Sequence, residues 1–160
     1  MIYGIDPGTE QSALVSLTDH GMVLQAETMA NTELLGRLRA YAARAAYLPD
    51  DVVVIEQIES MGMAVGREVF ETVFWTGRFY EVVYPARVER LPRRAVKLHL
   101  CGSMQAKDAN IRQALIDRYG GSKEAAVGIK AKPGPLYGVH GHEYAALAVA
   151  VTWFDQHQKA

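Results

Sequence analysis

The stretch Val52–Gln57, with the sequence VVVIEQ, decides the fold class of this chain. Four consecutive β-branched apolar residues are typical of a strand that is buried on both faces, as occurs where helices cover both sides of a sheet. The stretch therefore predicts an α/β fold. A carboxylate, Glu56, follows the apolar run directly. It lies either at a solvent-exposed strand end or in a buried position that requires a partner, because an unpaired buried charge is costly.

The elements predicted on either side of this strand complete a mixed five-stranded sheet flanked by helices. Before it, short turns join three strands into an antiparallel meander, and a helix follows. After it, helical and strand patterns alternate. The predicted strands are Met1–Asp6, Ser12–Leu17, Met22–Met29, Val52–Ile55 and Val82–Val88, and the predicted helices are Asn31 to about Tyr47, Met61 to about Val83, Pro92–Lys97, Asp108–Tyr119 and Gly141 to about Phe154, with a loop at Lys130–Tyr137.

The composition is typical of one globular domain, which we expect to span residues 1–160. The chain is 49% apolar and 22% charged, and its length is sufficient to bury a core without disulfides. The single cysteine, Cys101, excludes an internal disulfide and a cysteine-built zinc site. No apolar run approaches the ~18–20 residues of a membrane span, and the N-terminus lacks a signal-peptide pattern. We therefore expect a cytoplasmic protein with no membrane partner.

The net charge of −1 conceals an uneven distribution of charge along the chain. Residues 1–85 contain 5 basic and 12 acidic side chains, whereas residues 86–160 contain 12 basic and 6 acidic ones. The densest basic stretch runs from Arg87 to Lys97 and contains one acidic residue, Glu89. Such a stretch indicates either a local phosphate-binding face or an ordinary solvated surface.

Two carboxylates follow predicted strands. Asp6 ends the first strand, before the turn residues Pro7 and Gly8, and Glu56 ends the strand described above. An aspartate before Pro-Gly is also a common turn residue. If the two strands are neighbours, however, Asp6 and Glu56 converge at one end of the sheet. Their mutual repulsion would then be relieved by a divalent cation.

A third set of candidate ligands begins the last predicted helix. His142 and Glu143 precede a run of small apolar residues, and His140 lies just before them. A glutamate at a helix start also suits the positive end of the helix dipole. The two histidines permit a zinc hypothesis, but with carboxylates as the other candidates the set favours magnesium or manganese.

Taken in order, these segments resemble Holliday-junction resolvases of the RuvC type, within the RNase H-like nuclease superfamily. The compact size and residues 133–138, with the sequence PGPLYG, are most similar to bacteriophage-encoded versions, so the expected setting is a bacterial cell or a phage-infected host. The segments that carry the resemblance are Gly4–Gly8, Ile55–Gln57, Arg94–Lys97, Cys101–Ser103, Lys107 and Ala146–Val151.

The resemblance implies an RNase H-like fold and a Mg²⁺-dependent endodeoxyribonuclease that resolves four-way junctions, with Mn²⁺ able to substitute and no small-molecule cofactor. Two metal ions per site would hydrolyse the phosphodiester and leave 5′-phosphate and 3′-hydroxyl ends. The implied catalytic residues are Asp6, Glu56, His142 and Lys107, and the candidate metal ligands are Asp6, Glu56, His142 and Glu143. DNA contacts are expected from Arg93, Arg94, Lys97, Lys107 and Met61.

Two positions depart from the family's pattern. The family usually has a second aspartate three residues after the His142 position, where this chain has Ala145. Either Glu143 or water replaces that ligand, or the activity is weaker or prefers Mn²⁺. Where the family often has an aromatic residue that enters the junction, this chain has Glu59, followed shortly by Met61 and Met63, either of which could wedge between bases instead.

The resemblance also implies a homodimer, because a four-way junction presents two symmetric strands. The predicted helix Met61 to Val83 would form the contact, although its apolar residues are equally compatible with plain core packing. Those residues are Val69, Phe70, Val73, Phe74, Phe79 and Val82. Two other functions stay open: a less selective nuclease acting on flaps, forks or RNA–DNA hybrids, and a catalytically weak junction-binding protein.

Overall fold

The computed structural model of the protein describes residues 1–60 and 62–158. Its centre is a mixed five-stranded sheet in the order β3-β2-β1-β4-β5. Strand β2 is antiparallel to both β1 and β3, whereas β4 is parallel to both β1 and β5. The predicted α/β fold with a five-stranded mixed sheet is confirmed. The strands are β1 (Ile2–Asp6), β2 (Gln11–Leu17), β3 (Val23–Ala30), β4 (Val52–Gln57) and β5 (Val88–Pro92).

Helices cover both faces of this sheet. The helices are α1 (Asn31–Ala42), α2 (Arg67–Val83), α3 (Arg93–Cys101), α4 (Asp108–Tyr119), α5 (Lys123–Ala126) and α6 (Glu143–His157), with a 3-10 turn at Ala45–Tyr47 and a small hairpin of β6 (Gly128–Ile129) and β7 (Lys132–Pro133). One core forms where α6, α3 and α4 pack on the sheet, and the other forms beneath α1 and α2. None of the helices in the described residues is long and apolar enough to cross a membrane.

Helix α6 packs unusually close to β1, and Gly4 makes this possible. A Cβ atom at Gly4 would lie 2.2 Å from the carbonyl oxygen of Ala146 and 2.8 Å from the Cβ of Ala150. Small residues on both elements therefore allow the two backbones to approach. Asp6 lies two residues beyond Gly4 on the same face of the sheet, and His142 lies one helical turn before Ala146. The packing thus brings the start of α6 to the end of β1.

Several predicted boundaries were wrong. The second helix begins at Arg67 rather than Met61, because Gly66 before it is extended (φ −91°, ψ 179°); position 61 itself lies outside the described residues. The outer strand is Val88–Pro92, because α2 continues to Val83 and ends before Pro85. Pro92 accordingly ends a strand and precedes helix α3.

Three further elements also differ from their predicted bounds. Helix α1 ends at Ala42. The predicted loop at residues 130–137 includes strand β7. The last helix begins at Glu143, beyond Gly141, whose φ of +52° is a left-handed conformation that favours glycine.

Candidate active site

Asp6 and Glu56 leave adjacent parallel strands at the same end of the sheet. Ile5 of β1 is paired with Ile55 of β4, so the residues that follow lie side by side. Both carboxylates are nearly enclosed: the side chain of Asp6 is 12% exposed and that of Glu56 is 7% exposed. The sheet therefore provides the neighbouring strands that convergence of these two acids requires.

The electrostatic state of the two carboxylates follows from their enclosure. Burial, followed by the charge of Glu56, raises the pKa of Asp6 to about 7, while His142 and Arg93 oppose the rise. Burial also raises the pKa of Glu56, against the opposing effect of Arg93. Two carboxylates at such close quarters favour a cation, because each disfavours the charged form of the other.

His142 contacts Asp6 from the start of α6. Its ring atom Nδ1 lies 3.2 Å from Asp6 Oδ2, and the imidazole is otherwise exposed. His142 is the residue that precedes the first residue of the helix. The structure therefore brings together three predicted site residues: Asp6, Glu56 and His142.

Glu143 points to different partners. Its buried carboxylate accepts a hydrogen bond from the Thr28 hydroxyl at 3.2 Å and another from the backbone N–H of His140 at 3.0 Å. The bond from Thr28 attaches the start of α6 to β3, and the bond from His140 holds the segment just before the helix. Its expected role as a metal ligand stays a prediction. Ala145, which takes the place of the family's second aspartate, lies in the wall of the same cleft as Asp6.

Arg93 lies inside the acidic site. One guanidinium N–H donates to Glu56 Oε1 at 2.6 Å, and a second nitrogen donates to Asp108. Arg93 is one of the expected DNA contacts, and its pairing with Glu56 was not predicted from the sequence. The strand register explains it: Gln57 of β4 is paired with Pro92 of β5, so Arg93 follows β5 at the sheet end where Glu56 lies.

The other predicted DNA-contacting residues lie around this centre. Arg94 pairs with Glu59 at 3.2 Å. Lys97 is half-buried and close enough to Glu56 to lower its pKa. Lys107 is exposed and precedes α4, and its backbone N–H donates to the Asn110 side chain at 2.8 Å. Met61 lies outside the described residues.

The site opens into a cleft of about 910 Å³. Its wall also contains Asp108, which binds Arg93, and Arg112, whose guanidinium lies 4.8 Å from the centre of the Tyr144 ring; neither was among the named candidate site residues. Their spacing of four residues on one helix was the available signal, since it places both on one face. The cleft walls include Asp6, Gly8, Glu10, Thr28, Glu56, Glu68, Thr72, Arg93, Asp108, Arg112, His142, Tyr144 and Ala145.

The turn after Asp6 is held by a buried polar network that the sequence analysis also missed. The Gly8 N–H donates to the Ser12 hydroxyl at 3.1 Å, and that hydroxyl donates to Asn31 Oδ1 at 2.6 Å. The Asn31 amide in turn donates to the Gly8 carbonyl at 3.0 Å. Each group finds a partner, so the backbone beside Asp6 is fixed.

The donor set fits a hard divalent cation in part. Across residues 1–60 and 62–158, no group of three or more His, Cys, Asp or Glu side chains is spaced to hold a metal ion. Mg²⁺ needs few protein ligands, however, because it keeps several of its waters. Asp6, with a raised pKa and His142 beside it, fits one such ion. Glu56 already has Arg93 as its counter-charge.

The sheet order and strand directions, with helices on both faces, define an α/β fold of the RNase H-like type. Among solved structures, the fold is similar to that of RuvC from Thermus thermophilus, with a TM-score of 0.60 and 20% identity over 97% of this chain and 94% of that chain. T. thermophilus RuvC in complex with a Holliday junction substrate is similar as well, with a TM-score of 0.60 and 21% identity over 94% of this chain and 90% of that one.

These likenesses concern the fold, since the identity is low. No protein-family model matches the sequence. No curated protein matches it either. The expected bacteriophage origin stays a prediction.

Proposed function

We propose that this protein is a Mg²⁺-dependent endodeoxyribonuclease that resolves four-way DNA junctions. The observation that carries the proposal is the placement of Asp6 and Glu56, two enclosed carboxylates at adjacent parallel strand ends, with His142 on Asp6. They lie in a fold similar to that of T. thermophilus RuvC, which has been solved with a Holliday junction substrate.

The proposed cofactor is Mg²⁺, with Mn²⁺ able to substitute. Asp6 and His142 would hold a first ion, and Glu56 would share in holding a second. Bound ions of this kind activate water and stabilise the leaving 3′ oxygen, which yields 5′-phosphate and 3′-hydroxyl ends. The hydrogen-bonded turn at Gly8 keeps Asp6 in position, and the bonds of Glu143 do the same for the start of α6.

The basic side chains beside the site would hold the DNA backbone. Lys97 lies near Glu56, and Lys107 is exposed at the start of α4. Their positive charge would offset the charge that builds on the phosphate during cleavage. Arg94 extends the same face, where it would contact backbone phosphates in place of Glu59.

A homodimer fits both the substrate and the surface of α2. Three apolar side chains on that helix, Phe70, Val73 and Phe74, are exposed, with exposed fractions of 64% for Phe70 and 57% for Phe74. Phe79, which the sequence analysis counted with them, is instead fully buried in the core. An exposed apolar patch of this kind favours a protein contact. A two-fold dimer would place one site on each of two symmetric strands.

Two observations favour a second candidate function, a junction-binding protein with weak catalysis. Arg93 already neutralises Glu56, and Ala145 supplies no ligand to the cleft. Such a protein would bind junctions as tightly as a resolvase, because binding depends on backbone phosphates and shape.

The test uses labelled synthetic DNA in Mg²⁺ and in Mn²⁺: a mobile four-way junction, a flap, a linear duplex and an RNA–DNA hybrid. An Asp6→Asn variant serves as the control. We expect paired symmetric nicks on the junction and none with the variant. Equal cutting of flap and junction would indicate a debranching nuclease, and cutting of the hybrid would indicate an RNase H. Tight junction binding without cleavage in either metal would establish the second candidate.

A further inference from the structure

Arg93 joins two acidic side chains of the cleft through separate nitrogen atoms. Nη1 donates to Glu56 Oε1 at 2.6 Å, and Nη2 donates to Asp108 Oδ1. The Arg93 side chain is 33% exposed and links enclosed Glu56 to exposed Asp108. This geometry uses the planar fork of arginine, which a lysine ammonium cannot reproduce.

The pairing satisfies a charge that would otherwise be costly. Glu56 is among the few buried charged residues of the described chain, and a buried carboxylate without a partner is strongly destabilising. Charge-assisted bonds of this length are among the stronger hydrogen bonds in proteins. Glu56 thus obtains its counter-charge from within the chain.

The site therefore has two unlike halves, one around Asp6 and one around Glu56. Within the part of the chain that the structure describes, Asp6 pairs with a histidine and forms no hydrogen bond or ion pair with an arginine or lysine, and Ala145 in the same cleft is uncharged. Glu56, by contrast, is bound by a permanent cation whose position is fixed from outside by Asp108. A divalent ion that approaches Glu56 meets a positive charge already bound to Oε1.

Resting on the proposed metal-dependent function, we infer that Arg93 and a divalent cation are alternative partners of Glu56. Arg93 has to leave Oε1 before an ion can bind there. In the DNA-free protein an ion is held through Asp6, while the Glu56 half of the site is closed to metal. Arg93 is thus a positioning residue that sets the metal affinity of the site.

Calorimetric titration of Mn²⁺ into the DNA-free protein tests this inference without any measurement of cleavage. We expect Arg93→Gln to bind Mn²⁺ at least about tenfold more tightly, or to bind one more ion, because a charge-assisted competitor is removed. Arg93→Lys keeps the charge but cannot bridge two carboxylates. The Mn²⁺ affinity of this variant should therefore lie between those of the wild type and Arg93→Gln. Arg112→Gln removes the same charge from the same cleft without touching Glu56, and should change the affinity by less than about twofold.

The outcomes separate the inference from the proposed function. Mn²⁺ binding that is lost in Asp6→Asn but unchanged in folded Arg93→Gln would overturn the role of Arg93 and leave the proposed function intact. If neither the wild type nor Arg93→Gln binds Mn²⁺, the metal site itself is wrong and both fail. If Arg93→Gln does not fold, Arg93→Lys provides the test. An unchanged or weaker Mn²⁺ affinity of Arg93→Lys would contradict the inference that Arg93 and the cation compete for Glu56.

Discussion

His142 Nδ1 lies 3.2 Å from Asp6 Oδ2, and this contact joins the start of the last helix to the end of the first strand. It exists because Gly4 lets α6 pack directly on β1. The imidazole and the carboxylate thereby line the same cleft as Glu56 and Arg93.

Replacement of either acid should abolish cleavage without unfolding the protein. Asp6→Asn and Glu56→Gln keep the shape of the side chain but remove the charge that holds a cation, and we expect a loss of at least about 1,000-fold in the rate of junction cleavage. Circular dichroism checks the fold, and junction binding by Asp6→Asn should persist. Asp19→Asn, an exposed acid outside the cleft, serves as the matched control. Robust turnover by either variant would show that the metal site is misassigned.

His142→Ala should reduce cleavage more than Glu143→Gln. His142 contacts Asp6, whereas the carboxylate of Glu143 bonds to Thr28 and the His140 backbone. Glu143→Gln should instead lower the free energy of unfolding by about 1–3 kcal/mol, because it weakens two bonds to a buried group. Cleavage rates and urea denaturation of both variants measure the two effects. The reverse order in cleavage would place Glu143, and not His142, at the metal.

The stability of the metal-free protein should depend on pH through Asp6. The pKa of Asp6 is about 7 in the folded protein against an ordinary value of 3.8, so the folded state holds a proton that the unfolded state releases between those two pH values. The unfolding free energy therefore falls as the pH rises from about 4 through about 7. Asp6→Asn removes this penalty and should be about 1–4 kcal/mol more stable than the wild type at pH 8, and nearly equal at pH 4. Thermal melts in a chelator measure the difference in stability between Asp6→Asn and the wild type. A difference of the same size at pH 4 and at pH 8 would contradict the raised pKa of Asp6.

Cleavage should show the opposite trend with pH. A protonated Asp6 cannot hold a cation, so the rate at limiting Mg²⁺ should fall by up to about tenfold per unit below pH 7. Excess Mg²⁺ should shift the midpoint to lower pH, because the ion and the proton compete for one carboxylate. A midpoint that does not move with Mg²⁺ concentration would assign the pH dependence to another group.

Phe74→Glu should convert the proposed dimer to a monomer. Phe74 is exposed on α2, and Arg78 lies one turn away with its guanidinium 5.6 Å from the ring centre. A glutamate at this position would pair with Arg78 and leave the helix itself stable. Sedimentation measures the oligomeric state, and Tyr47→Glu, at an exposed apolar position outside α2, is the control. A wild-type chain that sediments as a monomer, with or without junction DNA, would remove the basis for this contact.

The core of the fold could be predicted from local patterns. The apolar run Val52–Ile55, the turn after Asp6 and the alternation of strands and helices were sufficient for the sheet and its flanking helices. The predicted bounds of helices and strands were wrong where the local backbone conformation determines them. At Gly66 the extended backbone delays the start of α2, and α2 ends before Pro85. Those positions depend on how the chain packs on the sheet, which propensity does not describe.

The candidate site, like the fold, could be predicted from the sequence only in part. The sequence by itself determined which residue types stand at strand and helix ends: Asp6 after β1, Glu56 at the end of β4 and His142 before α6. The partners of those residues were decided by the tertiary structure. The pairing of Arg93 with Glu56 and of Glu143 with Thr28 requires the register of β4 with β5 and the approach of α6 to β3. Charge pairing acts over a few ångströms in space, whatever the separation along the chain, so only packing could select those partners.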